Sequence, residues 1–233
     1  MSGYMMNAFS LNALQVQPAV AGIPSVDVVG CDINAACRRP VQEFVRKGFY
    51  QWYRADVQDF LPLLVSARAE NIHSVLGLRT NTEQMMVTRY LDLALADALE
   101  SLGITDFQGK VAEIGNLYSE SHTYTLPLLL TTVKALREAG FNYALFTATT
   151  RVQALFMRYG LQAQAMCEAN PDKLNGQASG WGSYYQAGPT VMLLDLARVA
   201  SVVESNKRLS DIDNAQQSAA TVIASQIRWL RHA

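Results

Sequence analysis

Apolar positions recur along the chain with two different periods, and the switches between them mark its elements. Residues 26–30 form a short β-branched run that predicts a first strand. Across 38–54, Val41, Phe44, Val45, Phe49 and Tyr53 fall at three- and four-residue steps, one helical stripe whose aromatics are read as core packing. Residues 60–68 (FLPLLVSAR) and 71–79 (NIHSVLGLR) predict a hairpin of two largely buried strands. Residues 88–102 carry a helical stripe of Leu91, Leu95, Ala98, Leu99 and Leu102, with Gly103 placed as a C-terminal cap.

The central stretch, 110–160, is the most legible part. It predicts a strand over 110–117, a helix over 121–139 stopped by Gly140, a strand over 141–148, and a short helix over 150–159 stopped by Gly160. Pro127 inside the helical run moves the expected helix start to 124–126, with proline in the first turn. A strand, helix and strand at this spacing make a right-handed parallel crossover. The hairpin before it lacks a helix and pairs antiparallel, which gives a mixed sheet covered by helices. Further strands are predicted at 161–167 and 190–196, separated by a polar loop at 169–180 and by WGSYY at 181–185. The tail at 209–231 has a narrow seam of Leu209, Ile212, Ala220, Ile223, Ile227 and Leu230, open to packing on its own domain or on a second subunit in a homodimer. The expected organisation is an N-terminal arm (1–25), one domain (26–198) and a C-terminal helical extension (199–233).

Half of the 233 residues are hydrophobic and 17% are charged, which supplies a core and argues against wholesale disorder. The net charge is −1 with scattered cations, not the footprint of a nucleic-acid binder. No apolar run approaches the roughly 20 residues of a spanning helix, and the start lacks the basic and apolar regions of a signal peptide. The expectation is a cytoplasmic protein. Cys31, Cys37 and Cys167 are expected as free thiols in that compartment, although a Cys31–Cys37 bridge is conceivable. A lone His73 without ligand-spaced partners argues against a metal site. There is no Walker loop, no G-x-G-x-x-G and no G-x-S-x-G elbow.

EIGNL at 113–117, FTAT at 146–149 with Arg151 after it, and WGSYY at 181–185 followed by Pro189 and Val191-Met192 resemble segments of the bacterial thermostable hemolysin family, as do GLR at 77–79 and RYLD at 89–92. The resemblance covers roughly 38–198. That family is similar to a branch of the GNAT acyltransferases near the acyl-homoserine lactone synthases. It implies an α/β (α+β) fold: a mixed, mostly antiparallel sheet with a central splayed parallel pair and helices on both faces. It also implies an acyltransferase that moves an acyl group from a thioester, on coenzyme A or acyl carrier protein, to a small amine or amino acid. The donor would be a co-substrate, with no tightly bound cofactor and no metal. The cytolysis suggested by the family name and a GNAT-like binding module without catalysis are the alternatives.

In such a fold the strand opening binds the pantetheine arm, which points to Asn116, Leu117, Thr147, Thr149 and Arg151. The following helix N-terminus favours phosphates, with Ser119, Ser121, His122 and Thr123 as added contacts. YSESHTYT departs from the usual acetyltransferase turn, which carries Gln or Arg and two glycines. Its side chains limit backbone approach, and Glu120 repels phosphate, so an acyl carrier protein gains weight over coenzyme A.

Acyl transfer needs a base and an oxyanion donor. Glu113, among apolar neighbours that raise its pKa, is the first candidate for base or amine-binding carboxylate; its other reading is a structural pair with Arg79 or Lys110. His122 is a second base or a capping-region residue. Tyr118 and Tyr184 are acids for the departing thiolate or amphipathic wall residues. Arg79 holds an acceptor carboxylate or a structural ion pair, Asn116 orients substrate or satisfies backbone, and Trp181 closes a pocket or the core.

Overall fold

The computed structural model describes residues 26–176 and 178–230; the expected arm at 1–25 lies outside the described residues. Among the described residues, seven strands form one sheet in the order β1-β2-β3-β4-β5-β7-β6. They are β1 (Asp27–Cys31), β2 (Leu63–Arg68), β3 (Ile72–Arg79), β4 (Val111–Ser119), β5 (Tyr143–Ala148), β6 (Ala163–Glu168) and β7 (Thr190–Asp195). Only β4 and β5 run parallel; every other neighbouring pair is antiparallel. The helices are α1 (Arg38–Tyr53), α2 (Leu95–Glu100), α3 (His122–Glu138), α4 (Thr150–Arg158), α5 (Leu196–Ser205), α6 (Lys207–Ala215) and α7 (Gln217–Leu230). The expected mixed sheet with one parallel crossover, β4–α3–β5, is present.

One face of the sheet packs on α3 and the C-terminal helices, burying Leu63, Leu76, Ile114, Leu128 and Ile227 in one cluster. The other face is split. Over β2 and β3, α1 packs Val41, Val45 and Phe49 against Leu64 and Val75. Over β5 and β7, residues 85–107 pack Met85, Tyr90 and Leu99 against Leu145 and Leu193.

Two details of β4 leave an opening in the middle of the sheet. Its pairing with β5 covers only Val111–Ile114 against Tyr143–Phe146, so residues 115–119 run on without that neighbour. Its register with β3 also slips, with Gly77 opposite Gly115 but Val75 opposite Tyr118. The slip is a bulge centred on Asn116, held at φ +50°, a left-handed conformation that asparagine tolerates better than most residues. The Asn116 amide pins it, accepting from Leu61 N–H at 2.9 Å and donating to the Asp59 carbonyl at 3.1 Å.

Four expectations are corrected. The helix predicted at 88–102 is α2 alone, preceded by a 3-10 turn over Val87–Tyr90. Tertiary bonds replace its first turns: Val87 N–H donates to Glu113, and the Tyr90 carbonyl accepts from Lys173 Nζ and the Cys167 thiol. Helix α3 starts at His122 with Ser121 as its N-cap, not at 124–126, so Pro127 sits within its second turn. The tail is broken at Gln216, whose side chain donates to the Val26 carbonyl. Its seam residues Leu209, Ile212, Ala220, Ile223 and Ile227 all pack on their own domain. Cys31 and Cys37, expected as free thiols, form a disulfide, because the turn from β1 into α1 brings their Cα atoms to 6.1 Å, within the span of a bridge. Cys167 is the free cysteine.

Candidate active site

Where β4 outruns β5, a cavity of about 380 Å³ opens between β4, α1, α3 and α4. Leu117, Tyr118 and Ser119 line it from β4, and Ser121 and His122 from the start of α3. Thr149 and Arg151 line it from the start of α4, and Phe49, Trp52 and Tyr53 from the end of α1. With Thr123, which also lines it, eight candidate site residues named from the sequence therefore meet in one place.

The Tyr118 ring rests on the α1 backbone at Gly48 and tilts against Phe44 at 5.1 Å. A Cβ on Gly48 would collide with that ring, so the close approach requires glycine there. Burial, reinforced by the Glu120 charge, raises the Tyr118 pKa, so the phenol keeps its proton at neutral pH. The Arg151 guanidinium lies 4.6 Å over the Trp52 ring and brings a cation to the cavity. His122 is exposed at the mouth.

The start of α3 is already furnished with acceptors. Ser121 Oγ takes the Thr123 N–H at 3.3 Å, and the Ser121 carbonyl takes the N–H groups of Tyr124 and Thr125 at 3.1 Å each. Thr125 Oγ1 donates to Ser119 Oγ at 2.6 Å. Amides used this way, with Glu120 alongside, leave little for a pyrophosphate.

Glu113 and Arg79 do not line the cavity. Glu113 is 2% exposed, accepts from Val87 N–H at 2.9 Å and meets Arg79 Nη1 at 3.1 Å. Arg79 also donates to the Gln84 carbonyl. Lys110, the other pairing weighed for Glu113, binds Asp106 instead. Burial raises the Glu113 pKa, and the Val87 N–H and Arg79 only partly offset it.

Behind the α1 wall, Tyr184 is buried with its hydroxyl 3.1 Å from Thr147 Oγ1. Its ring packs edge-on to Tyr53 at 5.3 Å and lies 5.2 Å from Trp181. This segment is stitched to the end of α1: Ser183 N–H donates to the Tyr53 carbonyl at 2.7 Å, and Asp56 N–H to the Gly180 carbonyl at 2.7 Å. Gly182, at φ +52°, lies so close to the Tyr53 carbonyl that no side chain fits. Asn116 spends its amide on the bulge.

Sequence reasoning missed the α1 contribution. Phe49 and Tyr53 belong to a stripe that looks like any core stripe, and part of each does pack in the core. The available signal was Trp52, an aromatic beside that stripe that stays 55% exposed.

Residues 32–200 match the family model described as thermostable hemolysin. The chain belongs to the thermostable hemolysin family. No curated protein matches this thermostable hemolysin family member in sequence. Among solved structures it is similar to TofI, determined in a ternary complex with an inhibitor and MTA, at 11% identity over 78% of this chain and 99% of that one, TM-score 0.52. It is also similar to the AHL synthase LasI, at 10% identity over 73% and 90% of the two chains, TM-score 0.50. A CoA-dependent acyl-homoserine lactone synthase, BjaI, solved with MTA, gives 8% identity over 83% and 89%, TM-score 0.50. At these identities the likeness establishes the fold alone, which this family member shares with these three structures. Among the described residues, no helix is long and apolar enough to cross a membrane.

Proposed function

We propose that the protein is an N-acyltransferase that moves an acyl group from a thioester to a small amine or amino acid. The observation that carries this reading is the cavity at the opening between β4 and β5, part apolar and part hydroxyl-lined, in a fold that acyl-homoserine lactone synthases use. The thioester end of the donor lies along Leu117–Ser119, with its acyl chain against Phe49, Trp52 and Leu155. Attack of the amine nitrogen on the thioester carbon forms a tetrahedral intermediate; its collapse breaks the C–S bond and releases a thiolate. Tyr118, protonated at neutral pH, donates a proton to that thiolate, and His122 at the mouth takes one from the amine. The occupied start of α3 favours an acyl carrier protein over free coenzyme A as donor, since the carrier leaves only its pantetheine arm to be held.

The fixed position of Glu113, tied by Val87 and Arg79 outside the cavity, favours a second reading in which the fold binds acyl ligands without catalysis. Incubating the purified protein with acyl thioesters on both carriers and pooled amines decides between them. Release of free thiol that depends on an amine and falls by about 10²-fold or more in Tyr118→Phe supports the enzyme. Ligand binding without thiol release supports the module, and neither with any donor overturns both. Mass spectrometry of small molecules that co-purify with the protein identifies the ligand independently.

A further inference from the structure

The turn from β1 into α1 holds a second cluster of reactive groups that the proposed transfer does not use. Cys31 is fully buried, whereas its disulfide partner Cys37 is partly exposed. Arg68 Nη2 lies 4.0 Å from Cys31 Sγ and donates to Ser66 Oγ, while its Nε has no hydrogen-bond partner. Arg38, 7% exposed, donates to the carbonyls of Cys31, Leu61 and Pro62, and its Nε is also unpartnered. Among the described residues neither guanidinium has a carboxylate within ion-pair distance. Arg68 is half-buried, and Asp32 acts on Arg38 only from beyond ion-pair distance; cations withdrawn from water normally have closer counter-charges, so this site is short of an anion. Cys37 occupies the N-cap of α1, a 16-residue helix with no side-chain cap and no acidic residue in its first turn. That terminus also lacks an anion.

A pair of thiolates supplies both. We propose that Cys31–Cys37 is an exchangeable disulfide that a dithiol reductant opens, and that its state sets how firmly α1 holds the cavity wall. An external thiolate attacks the accessible Cys37 Sγ, forming a mixed disulfide. The Cys37–Cys31 bond breaks, and its electron pair leaves on Cys31 Sγ, beside Arg68. The second thiol of the reductant then displaces Cys37 as a thiolate at the α1 N-terminus and closes its own disulfide. Two electrons pass to the protein, and the two protons of the reductant go to the thiolates or to solvent. Attack selects the sulfur of the less buried cysteine, and the stabilised thiolate is the better leaving group.

Opening matters because α1 is a lever. Cys31 and Val41 share one hydrophobic cluster with Phe49 and Tyr184, and the far end of α1 supplies Phe49, Trp52 and Tyr53 to the cavity. Freeing its first turn loosens that wall.

This coupling concerns the site of the proposed transfer, so the test reads thiols and amide exchange and succeeds or fails whether or not the protein is an acyltransferase. The native full chain is incubated with glutathione, quenched in acid and mapped by mass spectrometry, and separately treated with dithiothreitol and alkylated. The expected result is a glutathione adduct on Cys37 and a rise from one alkylated cysteine, Cys167, to three. Arg68→Met should slow exchange by about threefold or more, and Arg68→Lys should restore most of the rate. On reduction, amides of 38–53 should exchange with deuterium faster than those of β2 and β3. A bridge that resists dithiothreitol until the protein is unfolded overturns the proposal. So does an adduct on Cys31, a rate indifferent to the charge at position 68, or reduction that leaves α1 exchange unchanged. The wild-type measurements stand alone should the Arg68 variants fail to fold.

Discussion

Replacing Glu113 with glutamine separates the two roles open to this carboxylate. It is 2% exposed, accepts the Val87 N–H at 2.9 Å and meets Arg79 at 3.1 Å. Burial opposes its charge more strongly than these partners favour it, so its pKa lies above the ordinary 4.5. A carboxyl with a raised folded pKa binds its proton more tightly in the fold than in the unfolded chain. Its contribution to stability is complete below 4.5 and is lost as pH rises through the folded value. Glutamine imitates the protonated form, keeps an oxygen for the Val87 N–H, and cannot ionise. Variant and wild type should therefore match near pH 4. Towards pH 7 the variant should become the more stable, by about 1.4 kcal/mol for each unit of displacement.

Glu113→Ala behaves differently. It strips the Val87 N–H of its acceptor, about 1–3 kcal/mol, and leaves a void, about 1–3 kcal/mol more. For a chain of this length each kcal/mol lowers Tm by about 2–4 °C. Urea unfolding of the three proteins from pH 4 to pH 8 measures both effects. A glutamine variant less stable than wild type at pH 7 would refute the reasoning. Arg79 would then be holding the carboxylate ionised, and the pair would be a structural ion pair. The expected result instead marks a charge kept at the expense of stability, as functional sites often show.

The remaining predictions concern the cavity frame. Gly182→Ala places a Cβ on the Tyr53 carbonyl at a positive φ, at about 1–3 kcal/mol of backbone strain, and breaks the two Ser183 bonds to that oxygen, about 1 kcal/mol each; thermal denaturation should show Tm falling by about 6–20 °C. Gly48→Ala improves helix propensity but displaces the Tyr118 ring. Its Tm should therefore shift little while thiol release with the best donor falls by about tenfold or more, and unchanged turnover would remove Tyr118 from the site. Ser121→Ala removes the cap on Thr123 N–H and should cost about 1 kcal/mol by urea unfolding.

What was legible in the sequence was local. The β4–α3–β5 unit announces itself through strand-like runs, a long helical stripe and the glycine that stops its helix. Because Leu117–His122 are contiguous, reading the unit also reads half the cavity. The failures come where distant residues override local pattern. Residues 88–102 are good helix formers, yet bonds to Glu113, Lys173 and Cys167 hold the first part as a 3-10 turn. No pattern within α1 announces that its last turn meets residues more than 60 positions later, because a core stripe and a pocket wall have the same spacing. The cysteines were judged by compartment, whereas the geometry of one turn settles their pairing.

The bulge at Asn116 is the least legible feature and the one that organises the site. In an unbroken strand residues alternate between faces, so Glu113 and Tyr118, an odd number of positions apart, would point to opposite sides of the sheet. Before the bulge, Ala112 and Ile114 face α3, while Val111 and Glu113 face residues 85–107. After it, Leu117 packs toward the α3 cluster, Ser119 bonds Thr125 of α3, and Tyr118 packs under α1. The extra residue has exchanged the faces, and Glu113 and Tyr118 come to lie on the same one. The same left-handed residue turns the end of β4 out of step with β3 just where β5 no longer accompanies it. One asparagine, held by the backbone of residues 59 and 61, thus accompanies the opening and puts a phenol and a carboxylate on the same side of the sheet.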